Sequence, residues 1–492
     1  MTPEQGPAFA GARTGNHSYS YKRSSLKSIH DECGVFGIFG HEGASTLAYL
    51  GLHSLQHRGQ ESAGIATWDG RKMFLYRQMG LVGDIFSHEV LAGLPGDCAV
   101  GHVRYSTAGS SSLLNAQPIN CQYAGGDLAL CHNGNIVNAN TLKWELMNRG
   151  HLFQCSSDSE VLLQLVAAHT APRLHDRVAA MMESARGAYS LVLLGRDEMV
   201  AVRDPYGFRP LVVGNLKGAT VVASETTALS LIGATYEREV EPGEILVVTR
   251  GGRESHFPVR APRLAQCVFE HIYFARPDSI VFGRQVYEVR SLFGRQLARE
   301  APVPNGDVVI PVPDSGTSAA NGFSKESGIP FDMGLIRSHY VGRTFIEPEQ
   351  KIRHFGVKLK LAAVEATIRN RVVVVVDDSI VRGTTSAKIV QMVRDKGARE
   401  VHLRISSPPT RWPCYYGIDT PCREELIAAR LHDNRLIARE LTADSVGYLS
   451  IEGMHRVVSQ GSGNGWCDAC FSGRYPVPPE AGYSSHTREA KS

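Results

Sequence analysis

Residues Val372 to Ser386 read VVVVVDDSIVRGTTS, and no other stretch restricts the fold as strongly. Five consecutive valines are apolar and β-branched without alternation, the pattern of a strand covered on both faces within a parallel sheet. Two carboxylates, Asp377 and Asp378, follow at its carboxyl end, which in open α/β sheets is the edge where ligands bind. Adjacent acids repel a phosphate but suit the vicinal hydroxyls of a ribose. The next residues supply the complement. Gly383 permits close backbone approach and Thr384, Thr385 and Ser386 offer hydroxyls, while a helix starting near Ser386 turns free N–H groups and its positive dipole end toward an anion. Ile389, Val390 and Val393 share a face of that helix, and Gly397 ends it.

Strand, acid pair and Gly-Thr-Thr in this order resemble the phosphoribosyl diphosphate (PRPP) loop of the type I phosphoribosyltransferases. The resemblance implies an α/β domain with a parallel sheet. It implies PRPP contacts at Asp377, Asp378, Ser379, Arg382, Gly383, Thr384, Thr385 and Ser386.

A chain of 492 residues has room for two to four domains, two being natural if they are large, and its 43% apolar and 21% charged content is ordinary for a packed core. The formal net charge of +3 comes without a long Lys/Arg block, so no nucleic-acid partner is implied. The longest aliphatic run is the five valines, far short of the ~20 residues of a membrane span. Ten cysteines without an export signal point to a reducing, cytoplasmic setting.

The composition changes at Cys33. Residues 1–32 are polar and read as a flexible leader; Cys33 to residue 260 carries short apolar strands and helical stretches such as Asp158 to His169, an α+β domain. A Pro/Arg-containing linker near 258–267 precedes a second domain over 261–473, with Asp307–Val312 and Val372–Val376 as parallel strands. Residues 474–492 read as a flexible tail.

Cys33 lies in DECGVFGI. If the leader were removed at the Glu32–Cys33 bond, one residue would hold both a thiol nucleophile and a free α-amine, with a pKa of about 8, as its base. Read alone, the cysteine could equally be a buried structural residue opening a strand. Four further segments bear on the choice: Leu55-Gln-His57-Arg58-Gly59-Gln-Glu-Ser, Gly101-His-Val-Arg104, Cys131-His-Asn133-Gly134-Asn-Ile and Ser157-Asp158-Ser-Glu160. With Cys33 they resemble, in order and spacing, the glutamine amidotransferases of the N-terminal nucleophile type, an αββα fold. The resemblance implies Arg104 and Asp158 for the carboxylate and ammonium of glutamine, and Asn133 and Gly134 as oxyanion donors.

A glutaminase followed by a PRPP loop is similar to the amidophosphoribosyltransferase family, in its iron–sulfur-containing, leader-bearing subtype. That family hydrolyses glutamine and passes the ammonia to C1 of PRPP, giving 5-phosphoribosylamine, glutamate and pyrophosphate, the first committed step of purine synthesis. The resemblance implies Mg²⁺ near Ser315, Asp377 and Asp378, which fits a cation that takes few protein ligands and keeps waters. It also implies a closing loop carrying Arg343 and Lys351, with Arg353 and His354 beyond, whose cations match a pyrophosphate leaving group. Cys467 and Cys470 form a CxxC, and Cys267 and Cys414 stand in family-like segments. Four thiolates suit iron–sulfur or zinc by count; the resemblance favours a structural [4Fe-4S] cluster. Purine nucleotide inhibitors and a homotetramer are further family expectations. An ammonia-only phosphoribosyltransferase, a PRPP-binding regulator and a hexosamine-phosphate amidotransferase are the alternatives. The first two have no use for the set Cys33, Arg104, Asn133, Gly134 and Asp158, and the third lacks Val372–Ser386.

Overall fold

The computed structural model describes residues 33–105, 112–338, 361–459 and 465–480. The leader, the cations Arg343, Lys351, Arg353 and His354, and residues 481–492 lie outside the described residues.

The amino-terminal half is a four-layer αββα sandwich. A seven-stranded sheet centres on Gly34–Phe39, which pairs antiparallel with Cys98–Arg104 on one side and Ala219–Ala223 on the other. A six-stranded sheet faces it, with Gly126–Ile136 hydrogen-bonded to Gly187–Gly195. Alternation along the strands builds the layers. Val35, Val100, Ala129, Cys131 and Val192 fill the space between the sheets, while Phe36 and Ile38 point outward with Leu52 of helix Ala44–Ser54. Leu128, Leu130 and Leu191 meet helices Asp158–Ala168 and Leu174–Ser184 on the far side.

The carboxyl-terminal half holds a four-stranded parallel sheet in the order Val308–Pro311, Val372–Asp377, Glu400–Ile405, Ser445–Tyr448. The valine run is covered on both faces: Val372, Val374 and Val376 enter one core cluster, Val373 and Val375 another. A short parallel pair, Gln266–Cys267 beside Trp466–Cys467, closes the beginning of this half onto its end.

The tail expectation needs correcting for 474–480. Val477 is buried, its N–H donates to the Tyr416 hydroxyl at 3.0 Å, and that hydroxyl donates to the Val477 carbonyl at 2.8 Å. Tyr475 donates to the Pro413 carbonyl at 2.7 Å. Proline content suggested solvated chain, but the Tyr475 ring and Val477 give these residues apolar area to bury.

Candidate active sites

Cys33 immediately precedes its strand, buried, with Sγ donating to the Tyr105 carbonyl at 3.6 Å. The pairing of Gly34 with Val103 carries it toward Arg104, whose guanidinium lies 3.8 Å from Glu61. One residue earlier, His102 Nε2 donates across to the facing sheet, to the His132 carbonyl at 2.9 Å. That bond ties the strand of Arg104 to the strand of Asn133 and Gly134. Gly134 adopts φ +144°, and a Cβ there would lie 2.1 Å from the Ala188 carbonyl oxygen, so only glycine fits. Asn133 Nδ2 is buried and has no hydrogen-bond partner among the described residues. An orphaned buried donor costs stability, and a site that must stabilise a transient oxyanion is a reason to keep one. Asp158 opens its helix, capped by Ser157, and its Oδ2 accepts from Ile136 N–H at 3.0 Å. All five expected glutaminase residues therefore gather at one end of the sandwich.

The motif around Arg58 contributes something that its residues alone did not disclose. Arg58 is fully buried; its Nε donates to the Cys33 carbonyl at 3.2 Å, and its fork meets Glu225 at 2.6 Å and Glu270 at 2.7 Å. Burial alone would raise the carboxyl of Glu225, but His57 at 2.7 Å and Arg58 outweigh it and hold the group well below the usual carboxylate range. Glu270 belongs to the second half, so the Cys33 backbone is clamped by a buried pair that crosses between the halves. Glu225 gave no sequence signal; Glu270 stood unremarked beside Cys267.

The second site forms at the carboxyl end of the valine strand. A cavity of about 160 Å³ is lined by Tyr273, Ser315, Asp377, Asp378, Ser379, Arg382 and the Gly383–Ser386 turn, among others. Every expected PRPP contact among the described residues is here. Gly383, at φ +81°, caps helix Thr384–Asp395, so the free amides of its first turn face the cavity's loop. Burial, and then the proximity of Asp378, pushes the Asp377 carboxyl well up; burial also raises Asp378, while Ser315, Ser379 and Arg290 pull it back. Arg290 itself donates to the His271 and Ala275 carbonyls, both at 2.8 Å. A divalent cation relieves two such carboxylates, so the acid pair with the Ser315 hydroxyl is a fitting oxygen set for Mg²⁺. Arg382 donates to Glu425 at 2.7 Å.

Cys267, Cys414, Cys467 and Cys470 are all buried and free of disulfides. The Cys470 thiol is driven up by burial and then by Cys414, Cys267 and Cys467, so the four sulfurs share one environment. Burial likewise pushes Cys467 up to about 12. Buried thiols held together at such cost fit a group that binds thiolates. Among the described residues, no three His, Cys, Asp or Glu side chains converge on a single ion.

His102 gives the sandwich a pH dependence. Burial lowers its pKa from 6.5 to about 3, and Nδ1 has no hydrogen-bond partner among the described residues. The neutral ring is the folded form, so its contribution is complete above about pH 6.5 and is lost as pH falls from there toward 3. By pH 5 the loss is about 2 kcal/mol. His102→Gln keeps a donor for the His132 carbonyl but does not titrate. Its unfolding temperature should fall less than the parent's between pH 7 and pH 5, and equal falls would refute the assignment.

Residues 102–231 match the family of the glutamine amidotransferase domain. Amidophosphoribosyltransferase 1, chloroplastic, of Arabidopsis thaliana is 54% identical over 451 residues, covering 91% of this chain and 79% of the relative. Amidophosphoribosyltransferase of Bacillus subtilis (strain 168) is 47% identical over 459 residues, covering 92% and 96%. Among solved structures, an allosteric regulatory enzyme of purine biosynthesis superposes with a TM-score of 0.87 at 47% identity over 91% of this chain and 97% of that one. Glutamine PRPP amidotransferase from B. subtilis, complexed with ADP and GMP, gives 0.86 at 46% identity, covering 91% and 98%. With both halves accounted for at this level of identity, the chain belongs to the amidophosphoribosyltransferase family.

Proposed function

We infer that this chain makes 5-phosphoribosylamine from PRPP and glutamine, with the work divided between its two sites. At the first, the Cys33 thiolate attacks the carboxamide carbon of glutamine. The Asn133 amide and the Gly134 N–H receive the oxyanion, while Arg104 and Asp158 take the substrate's carboxylate and ammonium. Ammonia leaves, and water then releases glutamate from the thioester. The α-amine of Cys33, freed when residues 1–32 are removed, is the base in this reading. At the second site, the Gly383–Ser386 turn holds the 5-phosphate, Asp377 and Asp378 face the ribose, and ammonia displaces pyrophosphate at C1. Arg343 and Lys351 would close over the leaving group.

Mg²⁺ held by Asp377, Asp378 and Ser315 would neutralise charge on the pyrophosphate oxygens. A [4Fe-4S] cluster on Cys267, Cys414, Cys467 and Cys470 would pin the end of the second half to its beginning. Four buried sulfurs in one environment suit iron–sulfur or zinc by count, and the family resemblance favours iron–sulfur. Domain limits of 33–260 and 261–473, regulation by purine nucleotides and a homotetramer complete the reading; the B. subtilis relative was solved with ADP and GMP. Ten free cysteines favour a reducing compartment, and none of the described helices is long and apolar enough to cross a membrane.

The observation that carries the glutaminase assignment is the unpartnered Asn133 amide beside Gly134. Asn133→Ala should lower kcat with glutamine about 10²- to 10³-fold, with little change in KM, and leave ammonia-driven synthesis intact. An unchanged kcat would remove Asn133 from the oxyanion hole. Loss of the ammonia reaction as well would point to general damage.

A further inference from the structure

We propose that Tyr415–Gly417, in the second half of the chain, positions the oxyanion donors of the first. The inference rests on the reading of Asn133 and Gly134 given above. Three consecutive residues meet the glutaminase at three points. The Tyr415 carbonyl accepts from Asn135 Nδ2 at 2.8 Å, one residue beyond Gly134. The Tyr416 carbonyl accepts from Arg209 twice, from Nε at 3.0 Å and from Nη2 at 2.6 Å. Gly417, at φ +109°, lies so close that a Cβ would be 3.0 Å from the Gly134 carbonyl carbon and 3.1 Å from its Cα.

These contacts are well anchored. Arg209 is fully buried and also lies 3.5 Å from Glu270, while the Phe208 ring stacks on Tyr416 at 4.3 Å. The Tyr416 hydroxyl is fixed by Val477 on its other side. Cys414, one of the four clustered thiols, begins the segment, and the Tyr416 N–H donates to its Sγ at 3.3 Å. Gly134 must keep a left-handed backbone for its N–H to point correctly. Neighbouring backbone on one side is the Ala188 carbonyl and on the other is Gly417. The strand is thus held between its own sheet and a loop from the other half. Oxyanion stabilisation depends on donors fixed before charge develops, so a displacement here acts on the transition state rather than on substrate binding.

Gly417→Ala sets a methyl group against Gly134, and Asn135→Ala removes the Tyr415 bond without adding bulk. Both should lower kcat for glutamine between about tenfold and a hundredfold, Gly417→Ala the more, with KM for glutamine little changed. Ammonia-driven synthesis and iron content should stay at the parental level, which also reports folding. Hydrogen exchange at the amides of 133–136 should quicken in Gly417→Ala. The proposal is overturned if neither variant slows glutamine turnover, if both reactions fall together, or if exchange at 133–136 does not change. Should Gly417→Ala fail to fold, Asn135→Ala decides by the same criteria. A silent Asn133→Ala would instead sink the oxyanion reading itself, so the two failures are separable.

Discussion

Cys33→Ala should cost glutamine-driven synthesis at least about a thousandfold while ammonia-driven synthesis stays near the parental rate. The loss is large because, in the proposed mechanism, the thiol forms the covalent bond to the carboxamide carbon. The substitution removes one sulfur atom, whose contact to the Tyr105 carbonyl is long at 3.6 Å, and leaves the backbone of the strand in place, so the fold should hold. Paired assays with glutamine and with ammonium salts, each following pyrophosphate release from PRPP, give the answer. Parental glutamine turnover in the variant would dismiss Cys33 as the nucleophile. Loss of both reactions would mean that the thiol matters to the whole molecule.

Asp377→Asn should do the opposite: both reactions fall together, by about 10²- to 10³-fold, because the acid pair lines the proposed PRPP site that both reactions would share. Glutamine hydrolysis measured alone, as glutamate formation without PRPP, should persist. Stability gives a second check. Asp377 and Asp378 are buried neighbours whose charges oppose one another, so neutralising one should leave the unfolding temperature in metal-free buffer unchanged or raise it. Near-parental synthesis from ammonia would exclude Asp377 from the PRPP site.

Local pattern made much of this molecule legible. The valine run announced a strand buried on both faces, and the Gly383 turn announced a helix amino terminus, because both depend on neighbours in sequence. Cys33, Arg104, Asn133, Gly134 and Asp158 were readable as an ordered set, and the fold gathers them at one end of the sandwich. Arg58, Glu225 and Glu270 were not readable as a network. Their meaning lies in pairs separated by 167 and 212 residues, and a buried carboxylate looks like any other until its partner is seen. Tyr475 and Val477 were misjudged for a related reason: prolines set the backbone's local preference, but burial was decided by the distant ring of Tyr416. Gly417 offered only a glycine in a loop, and its role is set by a backbone almost three hundred positions earlier.

The paired segments Gln266–Cys267 and Trp466–Cys467 fasten the entrance of the second half to its exit. The chain between them, which carries Asp377, is thereby a loop whose ends are held together, so the pairing restricts the freedom of everything it encloses.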